Sequence, residues 1–170
     1  MNYRLCQPDD FPQLYAIEEL CFPPPDRFSR RYLRSLVHRV NAATWIMEEE
    51  GRLSGFAIVI WTQRKSEITA YIQTIEVVPV ARHGGIGRAL LQRIEASARA
   101  AGALLIWLHV EAANAAAVHL YETQGYHCHG RRENYYPEGR AALLYAKDLL
   151  ATECSVQPPK SPQAPFEIPA

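Results

Sequence analysis

Residues 75–91 read Ile75-Glu76-Val77-Val78-Pro79-Val80-Ala81-Arg82-His83-Gly84-Gly85-Ile86-Gly87-Arg88-Ala89-Leu90-Leu91. A β-branched apolar run ends at Pro79, a short basic, glycine-rich loop follows, and from Ile86 the apolar period changes from that of a strand to that of a helix. A helix start carries backbone N–H groups without intrahelical partners, and the helix dipole adds about half a positive charge there. Such a place suits an anion. Gly84, Gly85 and Gly87 remove the Cβ atoms that would hold a ligand away, while Arg82 and Arg88 add charge that favours phosphate. Residues 82–88 are therefore expected to cradle a phosphate-bearing cofactor.

A tight strand-to-helix turn would use the same glycines, and two nucleotide-binding patterns do not fit them. A P-loop needs a lysine after its glycines, and none follows here. A Rossmann fingerprint needs a small residue where Leu90 stands and an acid about 20 residues on, which Glu111 overshoots. Arg-x-x-Gly-x-Gly after a strand ending Val-x-Pro, over residues 77–87, instead resembles the acetyl-CoA-binding motif of the GNAT (Gcn5-related) N-acetyltransferases. The resemblance implies that the amides of Arg82, His83, Gly84, Gly85, Ile86, Gly87 and Arg88 bind the CoA pyrophosphate. It also implies that the backbone of Ile75, Glu76 and Val77 meets the pantetheine arm.

Outward from this loop, the chain reads as one domain. At 170 residues and 48% hydrophobic content it has material for one core and too little for two. Lys plus Arg and Asp plus Glu stand at 18 each, so no global field attracts nucleic acid or anionic lipid, and neither is expected as a partner. Cys6, Cys21, Cys128 and Cys154 lack Cys-x-x-Cys spacing and read as free thiols of a cytoplasmic protein. His127, Cys128 and His129 alternate faces of a strand, so no metal is expected. Neither a signal peptide nor an apolar run of membrane-spanning length is visible.

A short strand over 3–6 precedes a helix with Leu14, Ile17, Glu18, Leu20 and Cys21 at near-helical spacing, stopped by Phe22-Pro23-Pro24-Pro25. An aromatic beside a rigid proline run serves equally as a stop signal and as a pocket wall. Ser29 caps a second helix with Tyr32, Leu33, Leu36, Val37 and Val40 on its buried stripe. Residues 45–47, 53–61 and 68–78 read as a three-stranded meander. A helix over 86–101 ends at Gly102, a strand covered on both faces runs 104–110, and a short helix over 115–124 is capped by Asn114. Strands over 126–135 and 141–149 form a last hairpin about Pro137-Glu138-Gly139. Domain and tail divide near residue 150, since five prolines make 151–170 an expected flexible segment.

Acyl transfer to an amine requires a neutral amine, a stabilised oxyanion and help for the departing thiolate. His109, alone in an apolar strand, is a structural group or a base, and its neighbours Glu111, Asn114 and Tyr121 favour the second reading. The tract Asn114-Ala-Ala-Ala-Val-His-Leu-Tyr121-Glu-x-x-Gly125-Tyr126 resembles the second GNAT signature. There the asparagine contacts CoA and the tyrosine assists the thiolate. The implied fold is α/β (α+β), the GNAT fold, with a central, mostly antiparallel twisted sheet of about seven strands and helices on both faces. Within the family, the remaining details resemble the N-terminal acetyltransferases, and residues 131–137, Arg-Arg-Glu-Asn-Tyr-Tyr-Pro, resemble, with Glu133 inserted, the hairpin of the bacterial enzymes acting on a ribosomal-protein alanine. That likeness implies that Phe22, Pro23, Tyr135 and Tyr136 bind a peptide or protein N-terminus, with a ribosomal protein among the acceptors suggested.

The bacterial pattern has a glutamate where this chain has His109, whereas a eukaryotic one has histidine partnered by a tyrosine that Tyr71 matches in spacing. Tyr71 and His109 are thus expected to relay the amine's proton through a water, with Glu76 and Glu111 as alternative bases or mere strand carboxylates. A peptide α-amine, pKa about 7.7 to 8.0, is roughly a fifth to a third neutral near pH 7.4, whereas only about a thousandth of a lysine amine is. A histidine near 6.5 is an adequate base for the former, which agrees with an N-terminal acceptor. A small-molecule amine acetyltransferase and a non-catalytic acyl-CoA-binding adaptor are the alternatives, and a monomer or homodimer is expected.

Overall fold

The computed structural model describes residues 1–150, so Cys154 and the expected tail lie outside the described residues. Strand β1 (Asn2–Leu5) leads through a 3-10 turn at Pro8–Asp10 to helix α1 (Phe11–Cys21). Helix α2 (Arg30–Val37) starts where the Ser29 hydroxyl accepts the Tyr32 amide proton. A meander follows, β2 (Ala42–Glu49), β3 (Arg52–Arg64) and β4 (Glu67–Val77), and then helix α3 (Ile86–Ala100). Strand β5 (Ala103–Glu111), helix α4 (Ala115–Thr123), β6 (His127–Arg132) and β7 (Ala142–Asp148) complete the chain. The strands form one sheet in the order β1-β2-β3-β4-β5-β7-β6, antiparallel except between β4 and β5. No helix among the described residues is long and apolar enough to cross a membrane.

Alternation along β3 divides the core between two faces. Phe56, Ile58 and Ile60 pack under α1 and α2, while Ala57 and Val59 pack under α3 with Leu90, Leu91 and Ile94. The period-3.6 face expected of α3 is the one that is buried. Its centre is tied across the sheet by Glu95, which accepts from Tyr126 Oη at 3.0 Å and from Lys147 Nζ at 2.9 and 3.0 Å. Arg99, one turn on, donates to the same carboxylate at 3.3 Å. A buried acid with this many donors is a satisfied one.

Two features of β4 create the site. Opposite β3, Ile58 pairs with Thr74 and Val59 with Ile72, so Gln73 is an extra residue and the side-chain alternation shifts there. Ile75 and Val77 pack on the α3 side, and Glu76 is buried with α1's Glu18. The parallel ladder to β5 runs only from Ile68/Ala103 to Tyr71/Trp107. Beyond that pair β4 keeps β3 and β5 keeps β7, and the two strands part.

Leu20 of α1 is 64% exposed, because the helix turns it away from the sheet. Two expectations need correction. Val40, 97% exposed, lies past the end of α2 at Val37, so the expected stripe ends one turn early. Strand β6 stops at Arg132 instead of running to Tyr135, because Asn134 takes a left-handed φ of 56° that a ladder cannot continue through. At Gly55, in β3, an added Cβ would stand 2.7 Å from the Glu76 carbonyl oxygen. Gly55→Ala is expected to force the two strands apart and lower the free energy of unfolding in urea by about 1 to 3 kcal/mol.

Candidate active site

The loop between β4 and α3 turns through His83 (φ 65°) and Gly85 (φ 80°), the latter at the cap position of α3. A Cβ on Gly85 would meet nothing within 4 Å, and those on Gly84 and Gly87 only ordinary contacts, so the loop presents bare backbone to open space. That space belongs to a cavity of about 540 Å³, within the usual size range of small-ligand sites. Its walls include Ile75, Glu76 and Val77 of β4, and the loop residues Arg82, His83, Gly85, Ile86, Gly87 and Arg88. Asn114 and Tyr121 line it from the α4 side and Phe22 from the end of α1; Gly84 and Pro23 are not among its lining. The unpaired edge of β4, the amide-bearing mouth of α3 and the exposed Arg88 fit an extended, phosphate-bearing molecule lying between the parted strands.

The Arg82 side chain is also engaged within the fold. Its Nε donates to the Val77 carbonyl at 3.0 Å and its guanidinium lies 3.8 Å from Cys21 Sγ, so it caps the end of β4. Asn114 caps α4 by accepting the Ala117 amide proton at 3.1 Å, while its residue also faces the cavity. Tyr121 is buried edge-on to Tyr126, with ring centroids 5.4 Å apart, and burial pushes its hydroxyl well above the ordinary value, keeping it a proton donor. Cys21, His119 and Leu120 also line the cavity. No motif or spacing singled them out, although His119 and Leu120 lie three and four residues from Ala116, the spacing of one helix face.

Just below the point where β4 and β5 part, Tyr71 and His109 meet. The Tyr71 hydroxyl stands 3.4 Å from His109 Nδ1, and Tyr135 Oη stands 3.3 Å from the same nitrogen. The Tyr135 ring stacks on the imidazole at 4.5 Å, and Tyr136 packs edge-on to Tyr135 at 4.9 Å. His109 Nε2 is buried with no hydrogen-bond partner among the described residues. Burial, helped by the nearby Arg132 charge, pushes the imidazole from 6.5 down to about 4, below the base strength expected from sequence. Burial above all holds the Tyr71 phenol protonated, well above its ordinary value.

Glu111 is taken up by an ion pair. Arg140 Nη1 donates to it at 2.8 Å, Arg140 Nη2 reaches Asp26, and Arg140 Nε donates to the Pro137 carbonyl at 3.1 Å. One guanidinium thus joins the end of β5, the connection between α1 and α2, and the segment between β6 and β7. Sequence spacing could not reveal this, since Asp26 and Glu111 lie far from Arg140 along the chain. Glu76 is 2% exposed and accepts from the Thr74 hydroxyl at 2.9 Å. Burial and the facing Glu18 carboxylate push it well above the carboxylate range.

Residues 11–126 match the description "Acetyltransferase (GNAT) family", which is more than half of the chain. The chain belongs to that family. Among relatives, the [ribosomal protein bS18]-alanine N-acetyltransferase of Escherichia coli strain K12 is 37% identical over 91 residues, covering 54% of this chain and 59% of that protein. Streptothricin acetyltransferase of Streptomyces lavendulae is 40% identical over 77 residues, 45% of this chain and 40% of that protein. The chain thus spans about half the length of these curated relatives. The crystal structure of the ribosomal-protein-S18-alanine N-acetyltransferase from Escherichia coli matches with a TM-score of 0.76 at 26% identity, covering 92% of this chain and 98% of that one.

An imidazole whose cation is disfavoured in the fold takes up its proton later than the unfolded chain does. Stability is accordingly full above about pH 6.5 and falls as the pH drops toward about 4. A proton NMR titration of His109 is expected to show a midpoint near 4, and a midpoint near 6.5 would mean that the ring is open to water.

Proposed function

We propose that the protein is an acetyl-CoA-dependent Nα-acetyltransferase of the cytoplasm, acting on the exposed α-amine of a protein or peptide by direct attack in a ternary complex. The observation that carries this reading is the Tyr71–His109 contact at the parting of β4 and β5, beside two loops that Arg140 holds together. Support also comes from the likeness to the E. coli enzyme that acetylates a ribosomal-protein alanine.

Acetyl-CoA as co-substrate supplies the activated acyl carbon and a thiolate leaving group. The amides at the start of α3 and Arg88 would hold its diphosphate, and the free edge of β4 at Ile75 to Val77 its arm. Phe22, Tyr135 and Tyr136 would line the acceptor's path, with Pro23 keeping the turn stiff. The amine nitrogen bonds to the acyl carbon as the carbon–sulfur bond breaks. The amine's proton passes to neutral His109, directly or through the Tyr71 hydroxyl, and the thiolate takes a proton from Tyr121. An amine that has begun to bond to carbon holds its proton loosely, so an imidazole weakened to about 4 still accepts it. A partly neutral α-amine needs no stronger base, whereas a lysine would demand about 3 to 4 kcal/mol more from the site.

A second reading, acetylation of a small-molecule amine, is favoured by the match to streptothricin acetyltransferase. Initial rates with a panel of peptides beside a panel of small amines separate the two. With the preferred peptide, Tyr71→Phe and His109→Ala are each expected to lower kcat/KM by about a hundredfold while leaving CoA affinity unchanged. Retention of the parent's rate within about threefold in both would remove the relay. Gly85→Val places a branched side chain at a left-handed φ on the cavity wall. Calorimetry is expected to show CoA binding weakened by about tenfold or more, an effect that falls on the cofactor and not on the acceptor.

A further inference from the structure

Beneath the parted strands lie two acids that the relay does not use. Glu18 of α1 is fully buried and Glu76 of β4 nearly so, and each carboxyl has one oxygen, Oε2, buried without a conventional donor among the described residues. The two side chains are within hydrogen-bond reach of each other. Their other oxygens are satisfied: the Phe28 amide donates to Glu18 Oε1 at 2.7 Å and the Thr74 hydroxyl to Glu76 Oε1 at 2.9 Å. Two carboxylates left facing each other in a dry place would repel strongly, so the pair is stable with a single proton between the two Oε2 atoms. Held this way, the acids form a continuous chain of hydrogen bonds from Phe28, in the α1–α2 connection, to Thr74 of β4. The same connection carries Phe22 on the cavity wall and Asp26 in the Arg140 bridge.

We infer that Glu18 is a positioning residue for the acceptor: by holding one proton in common with Glu76 it fastens the 22–29 connection to β4 and fixes the wall against which the incoming amine is aligned. This rests on the reading of that connection as the acceptor's wall. Around the pair, α1 contributes Cys21 as well as Glu18, the connection contributes Arg27, and the turn after β4 contributes Arg82 beside Cys21. Arg27 favours charge on Glu18, so the proton resides chiefly on Glu76. When it leaves on the alkaline side, the connection is pushed from the strand and the acceptor binds less well.

The test measures acceptor KM, kcat and CoA affinity from about pH 6 to about pH 9 for the whole chain, Glu18→Gln and Glu18→Ala. The side-chain amide that Glu18→Gln introduces can donate to Glu76 in either protonation state and accept from Phe28. This variant should therefore keep KM within about threefold of the parent at neutral pH and abolish its alkaline rise. Glu18→Ala orphans the Phe28 amide and should raise KM about tenfold with kcat and CoA affinity little changed. An alkaline rise of equal size in parent and Glu18→Gln overturns the inference. If the parent acetylates no peptide, the reading of the reaction fails on that result alone, and amide exchange at Phe28 still judges the pair. Exchange that speeds up more with pH in the parent than in Glu18→Gln supports it, and equal profiles sink it. Should Glu18→Ala fail to fold, the Glu18→Gln comparison stands by itself.

Discussion

The parting of β4 from β5 is the constraint on which the rest depends. Backbone groups freed in a sheet interior are costly unless something meets them, and here the freed edge of β4 runs from just beyond Tyr71 to Val77. At its far end the Val77 carbonyl accepts from Arg82 and lies 3.5 Å from the Cys21 thiol. Between these points the edge borders a cavity that also receives the start of α3 and one face of α4. The extra residue at Gln73 completes the arrangement by reversing which side chains point to which face. It sends Glu76 toward α1 and leaves Ile75 and Val77 packed with α3.

From that gap, the two halves of the proposed chemistry separate naturally. The phosphate-suited loop and α4 lie toward the α3 side of the sheet, while Tyr71 and His109 cluster with Trp107 and Tyr135 away from it. A thioester lying in the gap would be reached by an acceptor from the opposite side. The walls on the acceptor's side are loops, and loops need fastening if they are to present a fixed surface. Arg140 joins them at the rim, where each partner is about a quarter exposed and an ion pair contributes modestly. The Glu18–Glu76 pair joins the same connection to β4 from beneath, out of reach of solvent and salt.

How much of this was legible in the sequence varied with the range of the interaction. The helix of 86–101, the meander and the two glycine-bearing signatures depend on periodicity and local turn chemistry, which neighbouring residues specify, and they appear with boundaries shifted by up to three residues. Tyr71 and His109 were paired through family resemblance, and the structure brings them into contact. What spacing could not supply was long-range: Tyr135 on His109, Arg140 between Asp26 and Glu111, and the burial of Glu18 against Glu76. The expected base strength of His109 failed for the same reason, since desolvation is a property of the packed surroundings. Val40 and the end of β6 escape sequence reading because apolar pattern alone does not mark where a helix or strand stops, past Val37 in α2 and before the left-handed Asn134 in β6.

The Glu95 cluster bears on how a ligand would be received. A helix whose opening turn grips an anion is pulled along its axis by that charge, and a loosely packed one would shift or fray in answer. Here the middle of α3 is moored to β7 by Lys147 and to the start of β6 by Tyr126. The receiving end is thereby rigid before anything arrives, so little of a ligand's grip is consumed in bringing the receptor to order.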